Sequence, residues 1–342
     1  MVKPPGAGRP RVTLREIARE AGVTASTVSK VLNGNHDVSD ETRQRVQALL
    51  SARNYERRSY GARDIPPVVD LVFQELESPW AMEIVRGAVE TATKTGLTVA
   101  LTSLSDGAGR KSWLDHICSR GTHGVVLLLA RLTNREKSDL RSRGLPFVVV
   151  DPRGEPDPGV TTIGATNWAG GYAATRHLIE LGHQRVGVIS GPGDLLCSRA
   201  RMDGYRSAME TSGVPVDPDL MQWGDFHVDG GFKVAMAMLS SRKRPTAIFA
   251  GSDLQALGVL GAARELDVSV PSQLSVVGFD DLPLSRWTSP PLTTVRQPLA
   301  EMAATAVQLV LAQDRGEPRE TRSVELSTTL LERESTAPPA RT

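Results

Sequence analysis

The sequence predicts two parts: an N-terminal all-α head carrying a helix-turn-helix, and an α/β core of two lobes built on parallel sheets. Three observations predict this. Residues 12–58 carry apolar side chains at helical spacing, punctuated by helix start signals. From Val68 onward, short continuous apolar runs alternate with amphipathic stretches. Charge divides at the same place: residues 1–63 hold 12 Lys/Arg and 6 Asp/Glu, so in a chain of net charge +1 the remainder carries −5. A basic head on an acidic body suits a polyanionic partner such as DNA.

The head reads as three short helices. Thr13 followed by Glu16 is a capping box, which opens the first helix at Leu14. Leu14, Ile17, Ala18 and Ala21 share one face, and Gly22 supplies the turn. Thr24 is the N-cap of a second helix that buries Val28, Val31 and Leu32 and leaves Ala25, Ser26, Ser29 and Lys30 outside. Asn33-Gly34 ends it, and Ser39 caps a third helix carrying Val46, Leu49 and Leu50. In this layout the second helix enters the DNA major groove with its N-terminal residues toward base edges.

The core begins with VVDLVF (68–73), LTVALTSL (97–104), GVVLLLA (124–130) and PFVVVD (146–151), and continues with RVGVIS (185–190), PTAIFA (245–250) and LSVVGFD (274–280). Continuous Val/Ile/Leu runs are strands covered on both faces, hence parallel sheets with crossover helices. A break near 165–167 divides two sheets, with five strands before it. Ligands of such folds bind beyond the carboxyl ends of the strands. Strand-end carboxylates accept hydrogen bonds from sugar hydroxyls, arginine donates two at once, and aromatic faces cover sugar C–H surfaces. The candidates are Asp151, Asp280, Arg199, Arg201, Trp80, Phe226 and Trp223. Trp80 is favoured because it follows a strand end beside a helix-breaking Pro79. Ordinary packing or ion pairing remains the competing reading for each.

Other classes are excluded. The chain has no P-loop, no G-x-G-x-x-G, no G-x-S-x-G elbow and no H-E-x-x-H, so no enzyme is expected. The pairs His116/His123 and His177/His183 lack metal spacing, and neither metal nor cofactor is expected. No apolar run spans a membrane and the N-terminus has no signal core, so the cytoplasm is the expected location. Two cysteines make no disulfide framework, which fits a reducing compartment. The Pro/Gly/Ala/Thr-rich ends, 1–10 and about 335–342, read as disordered.

The stretches VTLREIAREAGVTASTVSKVLNG and VSDETRQRVQALLSARNY closely resemble the head of the lactose-repressor/galactose-repressor family of transcriptional regulators. The core is similar to the same family over GGYAATRHLIELGHQRVGVISGP, SDLQALGVLGAARE and VPSQLSVVGFDDLPLSRWTSPPLTTVRQP, so the resemblance covers roughly 12–333. It implies a periplasmic-binding-protein-like core crossed three times between lobes, near 165, 293 and 324. The expected domains are then a head at 11–58, a hinge at 59–67 and a core at 68–333. Within the core, lobe one takes 68–165 and 293–323, lobe two takes 166–292 and 324–333, and 334–342 is a tail.

The resemblance also implies residue roles. The DNA-facing set is Thr13, Thr24, Ala25, Ser26, Thr27, Ser29, Lys30 and Asn33, with Arg43 and the hinge residues Arg57, Arg58 and Tyr60. Family effector contacts fall on Asp151, Arg201, Asp280 and Gln297. Ser252 stands where many sugar-responsive members have Asn, and Cys197 where the lactose repressor has Ser. With Trp80 and Phe226 these make the expected ligand set. DLVFQELESPWAMEIVRG further resembles actinomycete regulators of xylan and xylo-oligosaccharide use. The expectation is a homodimeric repressor on a palindromic operator, released by a pentose or short oligosaccharide. A corepressor that tightens DNA binding is the alternative. The hinge departs from the family: ERRSYGARDIPP offers no leucine, so its arginines are expected at the minor groove.

Overall fold

The computed structural model describes residues 14–32, 38–53, 66–74, 76, 78–104, 108–155, 159–317 and 323–340. The chain divides into two compact units, one of the head with Ser138–Gly144 and one of the remaining core, Pro66–Lys137 and Leu145–Thr342.

In the head, α1 (Leu14–Ala21), α2 (Ala25–Leu32) and α3 (Asp40–Ala52) start where their caps predict. Ile17, Ala18, Ala21, Val28, Val31, Val38 and Val46 close one core, with Val23, Leu49 and Leu50 at its edge. Gly22 turns with φ +67°, a conformation that glycine adopts without a Cβ penalty. The Thr24 hydroxyl accepts from the Thr27 amide at 3.2 Å, as an N-cap should. Arg53 fastens the end of α3 to α1, with Nη2 donating to Glu20 Oε1 at 2.6 Å and Nε to Oε2 at 3.2 Å. The expected DNA contacts Thr13, Asn33, Arg57, Arg58 and Tyr60 lie outside the described residues, as do most of the hinge and the side chain of Ser29.

The core runs β1 (Val68–Phe73), α4 (Pro79–Thr95), β2 (Thr98–Ser103), α5 (Ala108–Ser119), β3 (Thr122–Leu128), α6 (Asn134–Ser142), β4 (Phe147–Val150), β5 (Thr161–Ala165) and α7 (Asn167–Glu180). It continues through β6 (Val186–Ser190), α8 (Leu196–Thr211), β7 (Met221–Trp223), α9 (Val228–Leu239), β8 (Ala247–Ala250), α10 (Asp253–Glu265), β9 (Ser275–Asp280) and β10 (Thr293–Arg296). It ends with α11 (Leu299–Asp314), β11 (Ser323–Leu326) and β12 (Thr329–Leu331). One sheet has the order β11-β5-β4-β3-β1-β2 and the other β12-β10-β9-β8-β6-β7. In each, the first strand of the lobe lies between the second and third, which puts a topological switch point at its carboxyl edge.

The buried strands are the continuous apolar runs. Val69, Leu71 and Phe73 of β1 pack with Ile84 and Ala88 of α4 and with Met302, Ala306 and Val310 of α11. Asp70 interrupts its run and is fully buried; Thr102 donates to it at 2.9 Å, and Arg120 and Thr122 complete its shell. The run at 97–104 departs from the two-sided burial expected of it: β2 is an edge strand, and Leu101 is 45 % exposed.

Two of the three crossings fall a few residues beyond their expected places. Lobe one gives way to lobe two between Ala165 and Asn167, as the sequence indicates. The return is not near 293, because Thr293–Arg296 is laddered in parallel to Val277–Asp280. It comes at Gln297-Pro298, where a residue without an N–H cannot extend the ladder. Nor is the last crossing at 324, because Ser323–Leu326 pairs with Thr162–Ala165. It comes at Ser327-Thr328. The chain passes through without reversing, so β12 enters the second sheet from its carboxyl edge and lies antiparallel to β10. It is the exception to an otherwise parallel sheet.

The segment from Ser335 is not the loose tail its composition suggests. Val276 N donates to Ser335 O at 2.8 Å, and Thr293 N donates to Ser335 Oγ at 2.8 Å. His183 Nε2 lies 3.0 Å from Ala337 O and its Nδ1 lies 2.9 Å from Thr246 Oγ1. Composition marks the segment as loose, whereas its backbone and the Ser335 and Thr336 hydroxyls bond to strands distant in sequence.

Candidate functional site

On the head, Ala25, Ser26 and Lys30 are exposed and Thr27 is half-buried. The Ser26 and Thr27 hydroxyls are already engaged, at 2.9 and 2.8 Å from Thr24 Oγ1. Arg43 sits in the first turn of α3, its amide bonded to Ser39 O at 2.9 Å.

In the core, a cavity of about 390 Å³ opens at the carboxyl ends of both sheets. Phe73, Leu128 and Asp151 come from lobe one; Cys197, Phe226 and Asp280 come from lobe two. Five non-glycine residues on this rim or beside it have positive φ: Leu129 (51°), Asp151 (46°), Phe226 (67°), Asp280 (113°) and Asp281 (55°). Such backbone is costly for L-residues and persists where the surroundings over-determine it, commonly at binding sites. A wider groove of about 550 Å³ on lobe two, between α10 and residues 288–290, contains none of the expected ligand residues.

Arg201 is the best-anchored residue of the cavity. It projects from α8, which lies against α7 at glycine distance: a Cβ on Gly171 would meet Arg201 O at 2.4 Å. Its Nε donates to Asn167 Oδ1 at 2.9 Å, and its Nη1 donates to Gly251 O. Nη1 also lies 3.8 Å from Asp280 Oδ1. The guanidinium stacks 3.8 Å from the Phe279 ring centroid and 5.4 Å from that of Phe226. All these partners belong to lobe two, so Arg201 and Asp280 stand side by side on one wall of the cavity.

The carboxylates are poised. Burial pushes Asp151 up to about 6, against the pull of Arg201. Burial pushes Asp280 up to about 7, opposed by Arg201 and by the Gln297 hydrogen bond. Asp253, behind them, is raised well above the carboxylate range by burial and by Asp280, although Thr294 and the Leu282 amide donate to it. Burial pushes the Cys197 thiol up to about 12, which leaves it an inert wall.

Seven of the eight expected ligand residues, namely Trp80, Asp151, Cys197, Arg201, Phe226, Ser252 and Asp280, line this cavity. Trp80 is presented by the N-terminus of α4, where Ser78 Oγ accepts from the Trp80 amide at 3.3 Å. Pro79, expected as a breaker, opens that helix at a position where its missing N–H costs nothing. Ser252 caps α10, accepting from Gln255 N at 3.1 Å while donating to Phe226 O at 3.2 Å. Gln297 does not line the cavity; its Nε2 donates to Asp280 Oδ1 at 2.6 Å. Trp223 and Arg199 lie outside it, the latter bonded to Gly193 O at 2.8 Å. Sequence reasoning missed Asn167, Asp253 and Phe279; the Thr166-Asn167 pair at the break between the sheets was the available signal for the first.

Among the described residues no cluster of three or more His, Cys, Asp and Glu could hold a metal, and no helix is long and apolar enough to cross a membrane.

Residues 13–58 match the model of bacterial regulatory proteins of the lacI family, and residues 175–336 match a periplasmic binding protein-like domain. The chain is 30 % identical to the HTH-type transcriptional repressor PurR of Proteus mirabilis, over 95 % of this chain and 97 % of that one. Among solved structures, it is similar to a transcriptional regulator CelR–cellobiose complex, with 32 % identity, TM-score 0.73 and coverage of 95 % of this chain and 100 % of that one. It is also similar to the lac repressor dimer bound to operator and an anti-inducer, with 25 % identity, TM-score 0.71 and coverage of 96 % and 100 %.

Proposed function

The chain belongs to the lacI family of bacterial regulatory proteins, and from that premise we propose that an uncharged sugar of up to disaccharide size is the signal that releases it from its operator. It is a ligand-responsive transcriptional repressor and not an enzyme. The cavity carries the reading. Its volume of about 390 Å³ falls in the range of about 300–1,000 Å³ that buries most of a small ligand. Trp80 and Asp151 face it from one lobe, and Arg201, Phe226 and Asp280 from the other, so one molecule touches both. Three carboxylates line it, Asp151, Asp225 and Asp280, against two guanidiniums, Arg153 and Arg201. Arg201 is already bonded to Asn167 and Gly251 O, and Arg153 Nε lies 3.4 Å from Asp194 Oδ2, so the acidic excess favours hydroxyls over anions.

In this reading the ligand draws the lobes together, and the movement reaches the heads through the hinge. The protein works in the cytoplasm as a homodimer on a palindromic operator, the hinge arginines Arg57 and Arg58 lying at the minor groove. Coupling is reciprocal, so operator-bound protein binds the sugar more weakly.

The test is a thermal-shift screen of the full chain with cellobiose, xylobiose, D-xylose and sugar phosphates, followed by operator binding with and without each hit. A sugar at 100 times its Kd adds about 2.7 kcal/mol of stability. Stabilisation by sugar phosphates alone overturns the ligand class. A hit that tightens operator binding establishes a corepressor instead.

A further inference from the structure

Behind the lining of the cavity lies a buried polar side chain with a partner on each side: Asn167, 7 % exposed, at the first turn of α7. Its Oδ1 accepts from Arg201 Nε at 2.9 Å. Its Nδ2 donates to Ala165 O at 3.0 Å. Ala165 is the last residue of β5 in lobe one, whereas Arg201 is the anchored guanidinium of lobe two. A guanidinium only donates and a carbonyl only accepts, so the group between them must accept on one side and donate on the other. A primary amide does both. Asp at this place could only accept, and Lys could only donate.

The same point is tied to the last crossing. Ala165 is paired across the sheet with Leu326. Thr166 N donates to Leu326 O at 2.8 Å, and Thr328 N donates to Thr166 Oγ1 at 2.9 Å. The Thr328 hydroxyl returns a bond to Thr166 O at 3.2 Å. The middle crossing is reached from the other side of Arg201, through Asp280, which accepts from Gln297 Nε2 at 2.6 Å. The charged floor of the cavity is therefore bonded to residues in or flanking all three straps between the lobes.

We propose that Asn167 is the positioning residue that couples Arg201, and hence occupancy of the cavity, to the lobe crossings. It touches no ligand. It holds the guanidinium by one face of its amide and the end of β5 by the other, so that a shift of Arg201 on ligand binding displaces the first crossing and, through the Thr166–Thr328 bonds, the third. Gln297 acts alike on the middle crossing through Asp280. The proposal rests on reading the cavity as the effector site, but its test requires neither ligand nor operator, so the two fail separately.

The experiment is hydrogen exchange on the full chain carrying Asn167→Asp, Arg201→Lys and both. Asn167→Asp keeps an acceptor for Arg201 and removes the donor to Ala165 O. Amides of Thr166 and Thr328 are expected to exchange about fivefold faster, the effect of one lost hydrogen bond. Gly251 and Leu282 amides, on the cavity floor, stay within about twofold. Arg201→Lys keeps the charge but loses the Nε donor; it is expected to speed exchange at Thr166 and Thr328 in the unsubstituted background and to add nothing once Asn167→Asp is present. Asn167→Ala, run beside it, brings no buried charge and is expected to give the same pattern. The proposal is overturned if Arg201→Lys alters only lobe-two amides, or if it speeds the crossing amides equally in both backgrounds.

Discussion

The two walls of the cavity come from lobes of the same winding and differ in how their polar groups are held. On the lobe-two wall, Arg201 is fixed by Asn167, Gly251 O, Asp280 and two phenylalanine rings, and Asp280 is held in turn by Gln297. On the lobe-one wall, the carboxylate of Asp151 makes no hydrogen bond to a described residue, and Trp80 is half-buried at a helix start. One wall is built before a ligand arrives and the other is left with open capacity. A pre-built wall fixes orientation at little entropic cost on binding, and an unfilled acceptor contributes most when the ligand supplies its partner.

The largest expected effect tests the built wall. Arg201→Ala leaves Asp280 buried beside no cation, and removing one partner of a buried pair costs about 3–5 kcal/mol. Denaturant unfolding of the core reads this directly. A loss below about 1 kcal/mol would mean that the anchoring contacts carry little, and the contrast between the walls would collapse.

The open wall makes the next prediction through pH. Asp151 titrates near 6 when folded and near its ordinary 3.8 when unfolded. Between those values the folded protein holds a proton that the unfolded chain has lost, so stability falls as pH rises through the window. The fall is on the order of 2–3 kcal/mol for a shift of about two units. Asp280, raised to about 7, extends the same trend upward. Asp151→Asn is expected to flatten the decline between pH 4 and about 6 and to leave the part due to Asp280. An unchanged slope in urea titrations would show that Asp151 has a partner after all.

Trp80→Ala comes third. It is expected to weaken the sugar identified by the screen by about fivefold to tenfold, as for loss of an aromatic contact of about 1 kcal/mol, with little change in unfolding. Calorimetry separates the two. A large loss of stability with unchanged affinity would make Trp80 a core residue.

The smallest effect extends the contrast to the head. Ser26 Oγ already has Thr24 Oγ1 at 2.9 Å, so it resembles the satisfied wall rather than the open one. Ser26→Ala is expected to cost at most about 1 kcal/mol of operator affinity. Arg43→Ala is expected to weaken all sequences alike and reduce the salt slope by about one. Loss of all operator discrimination in Ser26→Ala would reverse the assignment.

Strand-end acids were legible because the VVVD and VGFD runs stop where the sheet stops; the helix start after the glycine-rich loop offered Arg199 and Arg201 alike, and only the family resemblance separated them. The caps of the head were legible for the same local reason. The crossings at 297–298 and 327–328 were displaced because membership of a sheet is decided by backbone hydrogen bonds to distant strands, which side-chain patterns do not record. Gln297 was placed at the ligand rather than behind Asp280, since a resemblance assigns proximity and not direction. Asn167 was invisible as a connector because its two partners, Ala165 O and Arg201, meet only in three dimensions.

The late crossings also order events in a growing chain. Lobe one needs α11 against β1, β3 and α4, yet Leu299–Asp314 is synthesised after nearly all of lobe two. The head, whose family match ends at residue 58, is synthesised before either lobe. A nascent or truncated chain can therefore present a finished DNA-reading helix with no working receptor behind it, and the cell gains a responsive repressor only when the last third of the polypeptide has been made.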